Sequence, residues 1–183
     1  MATAALIDTS VSDRCTTGYS LFELLTCLAI LSLVLFYALP HLAIAVENGR
    51  LEQRVNLIAV SIKAAKAEAI KTSREIIICA RQVQRQACQS NSVSGSSDWS
   101  HGWLIFADSN ADKAYQSEEH LLKLVDLKAV HCEINWNRGN YLSYHRFGIL
   151  QGSRAGSFTI SCGAKQTQLV INWVGRVRRV NRR

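Results

Sequence analysis

The sequence has no Cys-x-x-Cys pair and no glycine-rich loop of the kind that cradles phosphates. It also has no nucleophile set with a base and an orienting group. The first absence speaks against a thioredoxin-like redox site; the other two leave an enzymatic function without support. There are no internal repeats, and the only low-complexity stretch is a Ser/Asn/Gly-rich loop over 90–97. One residue is proline, Pro40. Acid is missing where base is densest: the last eight residues hold Arg176, Arg178, Arg179, Arg182 and Arg183 with no Asp or Glu. These five arginines account for most of the net charge of +7, so everything before them is nearly neutral and the tail reads as a cationic appendage.

The chain does have one long apolar run. From Leu21 to Leu39 only Glu23, Thr26, Cys27 and Ser32 are not plainly hydrophobic, which is close to the ~20 residues a membrane-spanning helix needs. An ionisable side chain inside such a stretch is costly and is by default a functional-site hypothesis. The plainer alternative is a signal anchor with a stray Glu where water still reaches it.

The residues around that Glu, Gly18-Tyr19-Ser20-Leu21-Phe22-Glu23-Leu24-Leu25, resemble the class III signal of type IV pilins and pseudopilins. The chain as a whole, including its C-terminal end, most resembles the FimT/GspH group of minor pilins. The resemblance implies that residues 1–18 are a leader cut after Gly18 by a prepilin peptidase, and that Tyr19 becomes an N-methylated N-terminus. Glu23 corresponds to the family's assembly glutamate and Pro40 to its helix-bending proline. Two features depart from the pattern: Tyr19 stands where Phe is usual, and the leader carries Asp8 and Asp13 with only Arg14 as a base. The physics of Glu23 agrees with the resemblance. A carboxylate in the membrane wants a cation, which the free amine of a neighbouring subunit's Tyr19 would supply. Such a pair adds little net stability, but a missing partner is strongly destabilising, so it sets register. The expected organisation is a transmembrane segment over 19–40, a periplasmic half of the same helix over 41–74, a β-rich domain over 75–174 and the arginine tail over 175–183. The protein would sit in the inner membrane as a single-pass chain with a periplasmic C-terminal domain, and in the assembled pilus.

Removing leader and membrane segment leaves enough chain for one modest domain. It holds four cysteines, Cys79, Cys88, Cys132 and Cys162. An even number in a small exported domain reads as a disulfide framework. Of the three possible connectivities, Cys79–Cys88, which closes a short loop, with Cys132–Cys162 is the favoured one.

The helix is expected to continue past the membrane. Leu51, Val55, Ile58, Ile62, Ala65 and Ala69 recur at gaps of four and three, an amphipathic stripe. A helix from Leu21 to about Thr72 would be about 78 Å long at ~1.5 Å per residue, with Asn48-Gly49 as its weak point. A coiled coil could cover the stripe, but the β pattern that follows favours a sheet. Strands are predicted over 75–81, 103–107, 121–126, 131–136, 143–149, 157–161 and 168–174, with turn chemistry between them. This is an α+β architecture in which a long N-terminal helix packs on an antiparallel β-sheet domain, as the resemblance also implies.

Two candidate sites have plain alternatives. Asp108-Ser109-Asn110-Ala111-Asp112, with Glu119 beyond, resembles a calcium-loop spacing. Lys113 stands where that loop needs glycine, so a polar turn held by Asp and Asn side chains is the better reading. Trp99, Trp103, Trp136 and Trp173 could stack on bases, though filling a core is the default. His101, His120, His131 and His145 show no ligand spacing; a zinc site at His131 and Cys132 is poorly supported. No metal and no cofactor is implied.

The tail carries the sharper hypothesis. A last strand over 168–174 places Leu169, Ile171 and Trp173 on one face. Beyond it, in extended chain, Arg176 and Arg178 point the same way, so their planar forks line up along a phosphate backbone. Many cationic tails are simply solvated or attract anionic lipid. In FimT-like minor pilins that act in DNA uptake, a G-R-x-R motif at this end binds DNA, and here it stands as Gly175-Arg176-Val177-Arg178. The resemblance therefore implies a minor pilin at or near the tip of a type IV pilus. It would bind DNA through its phosphates, independently of sequence, for natural transformation, with Arg179, Arg182 and Arg183 auxiliary. Other pilins, the prepilin peptidase and the inner membrane are the further implied partners. The alternatives are a type II secretion minor pseudopilin, or a purely structural priming subunit whose tail contacts acidic neighbours.

Overall fold

The computed structural model describes residues 20–89, 95–127, 132–153 and 155–180. Gly18, Tyr19, His131, Arg182 and Arg183 lie outside them, as does the side chain of Pro40. Among the described residues one α-helix, α1 (Leu21–Thr72), precedes nine strands: β1 (Glu75–Ala80), β2 (Ser97–Asp98), β3 (Gly102–Asp108), β4 (His120–Asp126), β5 (Cys132–Trp136), β6 (Tyr141–Tyr144), β7 (Gly156–Cys162), β8 (Lys165–Ile171) and β9 (Val177–Val180). The chain divides into two compact units, residues 1–42 and 43–183.

In the first unit α1 is long and apolar enough to cross a membrane. Its large side chains are about half to three-quarters exposed, Phe22 and Phe36 at 75% and 76%. A helix that is apolar all round needs lipid or other helices around it. This is compatible with a single-pass inner-membrane anchor.

In the second unit the helix becomes amphipathic. Its stripe of Leu51, Val55, Ile58, Ile62, Ala65 and Ala69 is buried throughout. The helix runs unbroken through Gly49. It stops at Thr72, whose hydroxyl donates back to the Glu68 carbonyl at 2.7 Å. Ser73 then turns into the left-handed region, at φ 54°.

The strands form two antiparallel sheets, of order β4-β3-β1-β6 and β2-β5-β7-β8-β9. The stripe shares one apolar core with both sheets: Ile76 and Ile78 of β1, Trp103 and Ile105 of β3, Trp136 of β5, Tyr144 of β6, Phe158 of β7, and Leu169 and Ile171 of β8. The period of two puts these residues inward and their neighbours outward. The first sheet is buried on its other face as well, where Ile77, Cys79, Leu104 and Phe106 pack against Cys88, Tyr115, Leu121 and Tyr141. That second layer explains why every residue of β3 is buried and why its run reads as continuously apolar.

Disulfides join Cys79 to Cys88 and Cys132 to Cys162. The first ties the 82–87 loop to β1. The second links Cα partners lying directly opposite on β5 and β7.

Three sequence expectations need correction. The tail is not an appendage: Val177–Val180 is a strand, with Val170 opposite Arg178 and Ile171 opposite Val177. A strand read over 143–149 ends at Tyr144, because His145 to Gly148 form a turn in which the Gly148 amide donates to the His145 carbonyl at 2.7 Å. A last strand over 168–174 ends at Ile171, so Trp173 leaves the inward face and stands 60% exposed.

Candidate nucleic-acid interface

The arginine segment is built as a hairpin. After Ile171 the Asn172 carbonyl accepts from the Gly175 amide at 2.8 Å, and the Asn172 amide donates to the Arg176 carbonyl at 3.2 Å. The Asn172 side-chain oxygen accepts from the Arg176 amide at 2.8 Å. Asn172 therefore closes the turn with both backbone and side chain, a role of turn asparagines. Gly175 has φ +75°, where L side chains are strained, and a Cβ there would stand 2.7 Å from the Tyr144 ring. The turn is anchored twice more. Lys66 of α1 donates to the Val174 carbonyl at 2.7 Å, and the Leu150 amide donates to the Trp173 carbonyl at 3.1 Å.

Alternation on this hairpin sorts its charges. Leu169 and Ile171 face the core at 2% and 1% exposure, while Val170 between them is 37% exposed. Val177 follows Ile171 inward and packs on the core. Arg176 and Arg178 follow Val170 outward. With Val170 and Asn172 they line one open cavity of about 270 Å³. Neither arginine has a carboxylate partner among the described residues, and β7 and β8 contain no acidic residue. Ser157 and Thr159 of β7 and Gln168 of β8 alternate with buried neighbours on these strands, and Gln168 donates to Ser157 at 2.9 Å. Two permanently cationic, planar donors thus border a neutral, hydrogen-bonding sheet face.

The model of the family described as type II transport protein GspH matches residues 54–175. The chain belongs to the GspH family. The match ends at Gly175, so Arg176 and Arg178 lie just past it. No curated protein matches the chain. Two crystal structures of the type IV minor pilin FimU from Pseudomonas aeruginosa strain PAO1 share its fold. One has a TM-score of 0.52 and 18% identity, over 70% of this chain and 91% of that one. The other has a TM-score of 0.53 and 19% identity, over 72% and 89%. Both show a likeness of fold: a long helix on antiparallel sheets, as in this GspH-family chain.

The remaining site residues fall elsewhere. Arg179 is not on the outward face. It lies opposite buried Leu169, and its Nη1 donates to both carboxylate oxygens of Glu52 on α1, at 2.6 and 2.8 Å. Its Nε donates to Thr167 at 3.2 Å. That charge is neutralised within the fold, which separates it from Arg176 and Arg178. Glu23 lies in the first turn of α1.

In the loop after β3 the three candidate carboxylates are satisfied by backbone amides, Asp112 by that of Ala114. Asp108 accepts from the amides of Ala111 and Lys113, and Glu119 from those of Ser109 and Gln116. The loop is held as a polar turn. Among the described residues no group of three or more His, Cys, Asp or Glu could hold a metal ion. Trp99, Trp103 and Trp136 are each at most 1% exposed and fill the core. Asn172 and the exposure of Trp173 escaped the sequence reading. The spacing Asn172-x-x-Gly175 was the available signal, since Asn and Gly at those positions mark a turn.

Proposed function

We propose that this GspH-family chain is a minor pilin of a type IV pilus, assembled at or near its tip, that binds DNA for uptake in natural transformation. The observation that supports this most is the placing of Arg176 and Arg178 on one outward face, around one cavity, on a fold shared with a type IV minor pilin. Two guanidinium forks around one cavity suit phosphodiester oxygens, and such contacts carry no base information. In this reading Gly18 ends the leader, Tyr19 carries the new N-terminus, and Glu23 pairs with a neighbouring pilin's amine. Arg182 and Arg183 are auxiliary cations, while Arg179 belongs to the fold. The test is a binding titration against duplex DNA over a range of salt, with the full chain in nonionic detergent. Arg176→Gln with Arg178→Gln should weaken binding to all sequences alike. It should also make the log–log salt slope shallower by about 1.8, from about 0.9 per phosphate contact. Unchanged binding in the double variant would remove the hairpin from the DNA site.

The second reading, a type II secretion minor pseudopilin, is favoured by the description of the matching family. A wild-type chain that does not bind DNA would leave that reading in place.

A further inference from the structure

Trp173 is the one exposed tryptophan of the four, at 60%, and it stands inside the turn that carries Arg176. Large aromatics in a small domain are normally buried, and Trp99, Trp103 and Trp136 are. The backbone around Trp173 is pinned by the Leu150 and Gly175 amides and, at Val174, by the Lys66 ammonium. Its indole is therefore carried on a fixed turn. The neighbouring turn, joined through Leu150, presents a second aromatic: Phe147 is 66% exposed, and the Arg146 guanidinium lies 5.0 Å from its ring centre. The two turns, joined by the Leu150–Trp173 backbone bond, thus carry two exposed aromatic residues together with Arg146 and Arg176, and Arg176 also lines the cavity it shares with Arg178.

We infer that this site takes a DNA strand with unpaired bases, the arginines holding its phosphodiesters while a base stacks on the indole of Trp173. The inference rests on the DNA-binding reading above and adds the form of DNA. A polynucleotide offers both charge and π-face, as the residues of these two turns do, and one base stacked on an aromatic ring strengthens binding substantially. Within a closed duplex the base faces are already stacked on each other, so the indole contributes only where bases are free, as in a single strand or a frayed end. Phosphate contacts alone would hold both forms.

The test uses the full chain in nonionic detergent, titrated with a labelled oligothymidylate and, separately, with a relaxed, covalently closed circular duplex, which has neither ends nor unpaired loops. Wild type should prefer the single strand. Trp173→Ala should lower single-strand affinity by about fivefold or more, leave closed-circle affinity unchanged and abolish the preference. Trp173→Phe, which keeps a ring, should retain most of it. Arg176→Gln with Arg178→Gln should weaken both ligands. If Trp173→Ala changes neither ligand, or both equally, while the arginine variant still loses binding, stacking is overturned and the phosphate site stands. If wild type binds neither ligand, the DNA reading fails and this inference with it.

Discussion

Gly175 lies against Tyr144, so closely that a Cβ on it would stand 2.7 Å from the ring. The glycine of the Gly-Arg-x-Arg segment is thus a packing residue that lets β9 return along β8. Gly175→Ala is expected to cost about 1–3 kcal/mol from the left-handed backbone, with the ring contact added. Thermal unfolding should show a lowered midpoint. DNA affinity should fall too, although both outward arginines remain.

Arg179 and Arg178 are adjacent in sequence and opposite in placement, one toward the helix and one outward. The Arg179–Glu52 pair is partly exposed, at 36% and 51%, so it contributes about 0.2–1 kcal/mol. Arg179→Gln should lower stability by that small amount and leave the salt slope of DNA binding unchanged. A slope reduced as much as by Arg178→Gln would show that Arg179 contacts phosphate.

Tyr144 is buried, and its hydroxyl has no hydrogen-bond partner among the described residues. Burial raises its pKa well above the ordinary phenol range. The folded state therefore holds the proton more tightly than the unfolded chain. This stabilisation is complete below pH ~10, the unfolded value, and is lost as pH rises above it. Chemical unfolding measured from neutral to strongly alkaline pH should show a fall above pH ~10. Tyr144→Phe should remove that part of the fall. At neutral pH the variant should be no less stable, because it removes an unpaired buried polar group.

The two disulfides close loops of different length, with sequence separations of 9 and 30. On the chain-entropy account they restrict the unfolded chain by about 2.6 and about 3.6 kcal/mol. Replacing Cys132 and Cys162 by Ser should therefore lower stability more than replacing Cys79 and Cys88, by about 1 kcal/mol. Denaturant midpoints of the two double variants decide the order. Non-reducing peptide mapping should find no free thiol among the four.

Processing is checked by intact mass. Protein extracted from membranes should begin at Tyr19 and carry one added methyl group, and a bulky residue in place of Gly18 should leave the precursor uncut. A mature chain beginning elsewhere would overturn the pilin-signal reading.

Much of the fold was legible along the chain because its signals are local. The run from Leu21 and the stripe from Leu51 to Ala69 place a helix ending near Thr72, where it does end. The β pattern after it gives antiparallel strands. β9 was not legible. Val177-Arg178-Arg179-Val180 reads as a solvated tail, since two arginines in four residues resemble no strand. It becomes one because β8 offers a partner edge, Val177 reaches the core, and Glu52, 127 residues away in sequence, binds Arg179. The same pairing, and no property of the arginines themselves, divides them: alternation sends Arg176 and Arg178 outward and turns Arg179 toward the helix. Trp173 is likewise no different in composition from Trp136, and only the turn closed by Asn172 and Gly175 puts one at the surface and leaves the other in the core. Local periodicity and composition determined the elements and the cationic end, because those depend on near neighbours in sequence. Which charges and rings face outward depended on partners brought together by folding, and only the tertiary structure decided it.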